Sequence, residues 1–254
     1  MTAPVSAHRI GGVLQLVLDA PQRRNALSRP MLAALAGHLV DLDEDVTGVV
    51  ISGNGGVFSA GADFAELTGT SADLEYDDAV TAVREAISSC PRLVVAAIEG
   101  PCMGAAADLA LACDFQVAGE DSFVEIPAVR LGLLYNPEAL AGLARTLPAT
   151  VVRRLGLLGE RFEAREALTC GLVTHLVPRG DAATRAAELL ESVTSAELDA
   201  IAATKGFLRA IATGDDAAST WQDRRRELLD SPVRRAAVDL AHARHPHGDP
   251  RPQS

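Results

Sequence analysis

Two short stretches of very small residues carry the clearest chemical signal in this chain: Ser59-Ala-Gly-Ala62 and Gly104-Ala-Ala-Ala107. Each follows an apolar run and leads into a helical one. Backbone N–H groups therefore gather at a helix start, where they have no partner within the helix. The helix dipole adds positive potential at that end. Two such ends facing one another can grip a developing negative oxygen. Small side chains suit that task because the ligand must approach backbone, although tight strand-to-helix turns use them for packing too.

The elements that must position these loops can be read from the pattern. Val13–Leu18, Gly48–Ile51, Leu93–Ile98 and Phe115–Ala118 are short apolar runs that predict buried strands. Ser28 predicts the cap of a helix with Pro30 in its first turn, running to about Asp43. Phe58 to Asp63 leads into a short helix, with Asp63 and Glu66 spaced as a reciprocal capping pair. An acidic helix is expected over 73–90, a loop at Gly100, Pro101 and Gly104, and a helix over Ala105–Ala112. From Pro137 onward the pattern is helical except Leu172 to Val177.

Residues 48–67 and 93–111 share one layout: strand, glycine-containing loop, short helix. That repetition predicts an α/β core over 1–195, a helical C-terminal region over 196–244, and a disordered Pro-rich tail over 245–254. The Arg-rich helices after Ala196, including Arg224-Arg-Arg226, read equally as a cover or subunit contact and as a solvated face.

The chain has 254 residues and is 48% hydrophobic, enough for a sizeable core. A net charge of −11 argues against a nucleic-acid binder. An anionic ligand would then need local arginines or backbone N–H groups. Cys90, Cys102, Cys113 and Cys170 form no Cys-x-x-Cys pair and no zinc spacing, so they read as buried thiols in a reducing compartment. Met1 to Arg9 lacks the apolar run of a secretory signal, and no apolar stretch is long enough to span a bilayer. The expected location is cytoplasmic, without nucleic-acid or membrane partners.

Gly53-Asn-Gly-Gly56 fails as a dinucleotide loop because the third glycine would fall at Phe58. The P-loop and the G-x-S-x-G elbow have no match. His242, His245 and His247 read as a solvated tail rather than a metal site.

Several ordered motifs resemble those of the crotonase (enoyl-CoA hydratase/isomerase) superfamily. They are Arg23-x-Asn-Ala-Leu27, Phe58-Ser-Ala-Gly-Ala-Asp63, Gly100-Pro-Cys-Met-Gly-Ala-Ala-Ala-Asp108, Pro127-Ala-Val-Arg-Leu-Gly-Leu133 and the segment from Arg161 to Val173. The resemblance runs from about residue 5 to 240. It implies a spiral of strand–strand–helix repeats assembled as trimers or hexamers. It implies coenzyme A as part of an acyl-CoA substrate, with no metal required. The thioester oxygen would sit on the amides of Ala62 and Ala105. Ala26, Ala60, Asp63 and Phe64 would lie along the CoA path, and Arg23 and Arg24 would be phosphate partners or a solvated pair.

The resemblance also marks a departure. Family hydratases use two glutamates to hold water and move its proton. The first position is Asp108 here, which could also complement the helix dipole. The second is Ala128, which can neither give nor take a proton. Glu125 is near, but a one-residue offset on a strand reverses the face a side chain occupies. Other branches of the family place an acid or base slightly later, which makes Tyr135 and Glu138 substitutes. Glu138 is also explained as a first-turn acid after Pro137. The implied activity is 2-enoyl-CoA hydration through an enolate. Isomerisation, decarboxylation, thioester hydrolysis and non-catalytic acyl-CoA binding remain open.

Overall fold

The computed structural model describes residues 3–214 and 218–244. The expected tail, with His245 and His247, lies outside the described residues. Strands β1 (Val5–Ile10), β2 (Val13–Leu18), β3 (Gly48–Gly53), β4 (Leu93–Ile98), β5 (Pro101–Met103), β6 (Phe115–Gly119), β7 (Phe123–Glu125), β8 (Phe162–Glu163) and β9 (His175–Val177) form two sheets. The helices are α1 (Arg29–Val40), α2 (Leu74–Ser89), α3 (Ala105–Ala112), α4 (Pro137–Thr146), α5 (Ala149–Leu158), α6 (Ala164–Thr169), α7 (Ala182–Glu191), α8 (Leu198–Thr213), α9 (Ala218–Leu229) and α10 (Pro232–Arg244).

The larger sheet has the order β1-β2-β3-β4-β6-β9 and is parallel from β2 onward. The smaller has the order β5-β7-β8. Successive turns of the chain lay one strand in each sheet: β4 then β5 then α3, and β6 then β7 then a 3-10 turn at Ala128–Leu131. In the preceding turn, β3 is followed by Ser59, which makes a single bridge to Cys102 in place of a full strand. This is the strand–strand–helix spiral anticipated from the motifs.

The central strands are apolar throughout because helices cover both sheet faces. Val49, Ile51, Val94 and Ala96 join the cluster that holds Leu32 and Leu35 of α1 and Val83 and Ile87 of α2. Val50, Val95, Ala97 and Val117 join Ala182, Ala186 and Leu190 of α7. Burying a side chain such as Val95 contributes about 1.5–3 kcal/mol. Gly48 admits α7 most closely: a Cβ there would lie 2.7 Å from Leu190.

Some local expectations need correction. Helix α1 stops at Val40, short of Asp43. Asp63 does cap its own turn, accepting the Ala65 N–H at 3.1 Å. Glu66 does not close the box; its Oε2 accepts the Arg29 N–H at 2.8 Å and caps α1 instead. The expected loop at Gly100–Gly104 contains β5, while β7 and β8 were not anticipated. Strands of two or three residues are too short to show a period. Only His175–Val177 of the 172–177 run is strand. Cys170 is half-buried, unlike the other three cysteines.

The chain divides into two compact units, Met1–Ser195 and Ala196–Ser254. In the second, Phe207 packs on Trp221 with ring centroids 5.3 Å apart. Arg224 pairs with Glu227 and Arg226 with Asp223. Leu208, Leu229 and Leu240 are at least half exposed. No helix among the described residues is long and apolar enough to cross a membrane.

Candidate active site

The first small-residue loop is held by a buried asparagine. Asn25 adopts φ +53°, a left-handed conformation that asparagine tolerates better than most residues. Its Oδ1 accepts the Ala20 N–H at 3.0 Å, and its Nδ2 donates to the carbonyls of Asn54 at 2.9 Å and Val57 at 2.7 Å. Ser59 Oγ donates to the Asn25 carbonyl and accepts the Gly61 N–H. These bonds aim the chain that follows.

Gly61 presses that loop against the second one. A Cβ on Gly61 would stand 2.5 Å from the Met103 carbonyl oxygen and 3.7 Å from the Ala105 nitrogen. Gly104, at φ +53° and ψ −122°, starts α3 with a turn only glycine adopts readily. The loops carrying Ala62 and Ala105 thus meet at backbone contact distance. Among the described residues, neither the Ala62 nor the Ala105 N–H donates to a protein acceptor. A pair of open amides, one of them at the start of α3, can receive an anionic oxygen.

Both alanines line a cavity of about 620 Å³. Ala60, Phe64, Asp108, Ala128 and Tyr135 line it too, as do Asp73, Tyr76 and Asp77. The sequence reading missed the last three. The spacing of Leu74, Asp77 and Val80 along one face of α2 was the available signal. None of the described lining residues is a lysine, arginine or histidine.

Asp108 is 6% exposed. Burial lifts its carboxyl from 3.8 to about 6; Arg84 opposes the rise and Asp77 adds to it. A carboxylate tuned toward neutrality is suited to exchange protons near physiological pH. Ala128 is buried and lies in the wall of the same cavity.

The substitutes behave differently from one another. Tyr135 reaches the cavity, but its hydroxyl donates to the Gly104 carbonyl at 3.1 Å and braces the turn before Ala105. Burial pushes the phenol further above its usual range. Glu138 is not among the cavity-lining residues; it is exposed and pairs with Arg84 at 2.9 Å. Glu125 is buried and held by Arg130 at 2.7 Å and Arg161 at 3.1 Å, away from the cavity lining.

The proposed CoA-path residues also separate. Arg23 forms an ion pair with the buried Asp63 carboxylate. The Asp63 N–H points to the Leu27 carbonyl, so both polar ends of Asp63 are used within the protein. The Ala60 N–H donates to the Arg24 carbonyl at 2.9 Å. Arg24 is exposed and Ala26 half-buried, and neither lines the cavity. Phe64 is 66% exposed on the cavity wall.

Comparison with known proteins agrees with this architecture. The model of the enoyl-CoA hydratase/isomerase family matches residues 8–239. Human enoyl-CoA hydratase domain-containing protein 3, named as mitochondrial, is 35% identical over 183 residues, which are 70% of this chain and 60% of that protein. The crystal structure of the same human protein superposes with a TM-score of 0.84 at 26% identity, covering 95% of this chain and 98% of that one. The 2,3-dehydroadipyl-CoA hydratase of Escherichia coli is 31% identical over 168 residues, 65% of this chain and 66% of that enzyme. The spiral core, the paired small-residue loops and these matches agree, and the chain belongs to the enoyl-CoA hydratase/isomerase family.

Proposed function

We propose that this protein is an acyl-CoA enzyme that adds water across the double bond of a 2-enoyl-CoA thioester. The observation that carries the reading is the pair of open amides on Ala62 and Ala105, set at the wall of a cavity that also holds a buried carboxylate, Asp108. The thioester oxygen rests on the two amides. Water attacks C3, the C2=C3 electron pair moves toward the carbonyl, and the charge collects on the thioester oxygen. Asp108 takes a water proton and delivers it to C2 as the enolate collapses. Atoms balance with one water consumed.

The family membership and the name of the bacterial relative support hydration over other chemistry. Coenzyme A enters as part of the substrate. Of the CoA-path residues, Ala60 and Phe64 keep a direct place on the wall, while Arg23 and Asp63 act by holding each other. Glu138 has no part in this scheme, and Tyr135 acts by fixing Gly104. A homotrimer or hexamer belongs to the same reading. The apolar side chains of Leu208, Leu229 and Leu240 left exposed on α8–α10 support it, and light scattering on the purified chain reads the mass directly.

The test is loss of enoyl absorbance when the protein meets crotonyl-CoA, with Ala105→Pro alongside. Proline at the first helical position removes the N–H without breaking the helix. Turnover is expected in the wild type and a fall of about 10²–10³-fold in the variant. Binding of crotonyl-CoA without turnover would move the protein to another CoA reaction or to a binding role. Equal rates for the two proteins would refute the amide assignment.

A further inference from the structure

Ala128 leaves the hydration site one carboxylate short, and α2 supplies another. Leu74, Asp77 and Val80 turn one face of that helix to the cavity, so the acid and its apolar neighbours share the wall with Asp108. Asp108 is nine-tenths buried, opens on the cavity, and accepts no side-chain hydrogen bond or ion pair among the described residues. A buried carboxylate without a protein partner calls for a polar ligand. We propose that Asp77 is the second carboxylate of the site, and that with Asp108 it holds the water that adds to the enoyl thioester in place of the residue missing at Ala128.

This rests on the hydration reading and extends it. One water hydrogen is accepted by the Asp77 carboxylate, which takes up no proton in the step, although burial and the charges of Asp73 and Asp78 raise that carboxyl above its ordinary range. The other leaves as a proton to Asp108 while the oxygen bonds to C3, and Asp108 returns that proton to C2. Asp77 therefore orients the nucleophile, and Asp108 carries the proton. The two carboxylates are electrostatically linked, because the Asp77 charge raises both Asp108 and Tyr135. The other charged groups around them are Asp73 and Asp78 on the same helix start, Arg84 two turns further along α2, and Arg29 of α1, whose Nη1 donates to the Glu75 carbonyl. Arg84 is also tied to Glu138.

Asp77 sits in the first turn of α2, where an acid also suits the dipole. Asp78 is the next residue along α2 but does not line the cavity, so it is the control. With crotonyl-CoA, Asp77→Ala is expected to lose at least about 10-fold in kcat while KM changes less than about two-fold. Asp78→Ala should keep wild-type turnover, and Asp77→Glu should recover part of the loss. Removing the Asp77 charge should also move the acid limb of the kcat/KM profile to lower pH, and the loss in kcat with KM kept, partly recovered by Asp77→Glu, separates water positioning from a merely structural acid. Asp77→Ala turnover within two-fold of wild type, with the limb unmoved, would overturn the proposal while leaving hydration intact. A wild type that does not hydrate crotonyl-CoA would overturn both.

Discussion

At the residue scale, the proposed site rests on carboxylates and amides whose surroundings differ from what their types alone suggest. Asp108 is the sharpest case. Its carboxyl is raised to about 6 by burial, so the folded state prefers the protonated form. The sign follows: the folded state bears no penalty at pH values below the ordinary 3.8, gains it as pH rises, and bears all of it above about 6. Asp108→Asn should therefore raise the melting temperature at pH 7, by an amount worth about 3 kcal/mol at most, while turnover falls at least 10²-fold. Calorimetry and a crotonyl-CoA assay on one preparation check both. In the wild type, kcat/KM should fall as pH drops through about 6, since the base must be ionised. Asp108 was legible from its motif. That Asp77 lines the same cavity was not, because the two are 31 positions apart and share a wall only once α2 packs on α3.

At the element scale, the two loops work only if they touch. Gly61 faces the Met103 carbonyl at φ +91°, where an L side chain is strained even with space available. Gly61→Ala would drive a methyl to 2.5 Å from that oxygen and part the loops. The expected result is a loss of about 1–3 kcal/mol in denaturant unfolding. Turnover should fall further than the lost stability explains, because the Ala62 and Ala105 amides no longer converge. Wild-type turnover in a folded Gly61→Ala chain would mean that the amide pair tolerates separation. Helix starts and central strands were readable because their signals are local: Ser28, the apolar runs, the small-residue turns. The capping role of Glu66 was not, since its partner is Arg29, 37 residues away.

At the scale of the whole molecule, the charge of the cavity wall bears on what enters. Asp73, Asp77 and Asp108 line it, and none of the described lining residues is basic. Three hydrogen-bond donors, from Thr68 and Gly69, reach the Asp73 carboxylate and hold its carboxyl below the usual range, so it stays anionic. An acyl chain ending in a carboxylate meets like charge there. A 2-hexenoyl thioester should be turned over at least about 10-fold more efficiently than the same thioester ending in a carboxylate, a difference of about 1.4 kcal/mol, measured as kcat/KM. Equal efficiencies would show that the chain's far end leaves the acidic wall. The sequence by itself determined the buried strands, the helix starts and the paired small-residue turns, because each is a matter of local pattern or of residue type. Only the tertiary structure decided which groups share the cavity. It set Arg23 against Asp63, removed Glu125 and Glu138 to their arginines, bound Tyr135 to Gly104 and placed Asp77 in the same cavity wall as Asp108. Apart from Glu125 and Arg130, those pairings join residues distant along the chain that only the packed fold brings together, which no short-range spacing encodes.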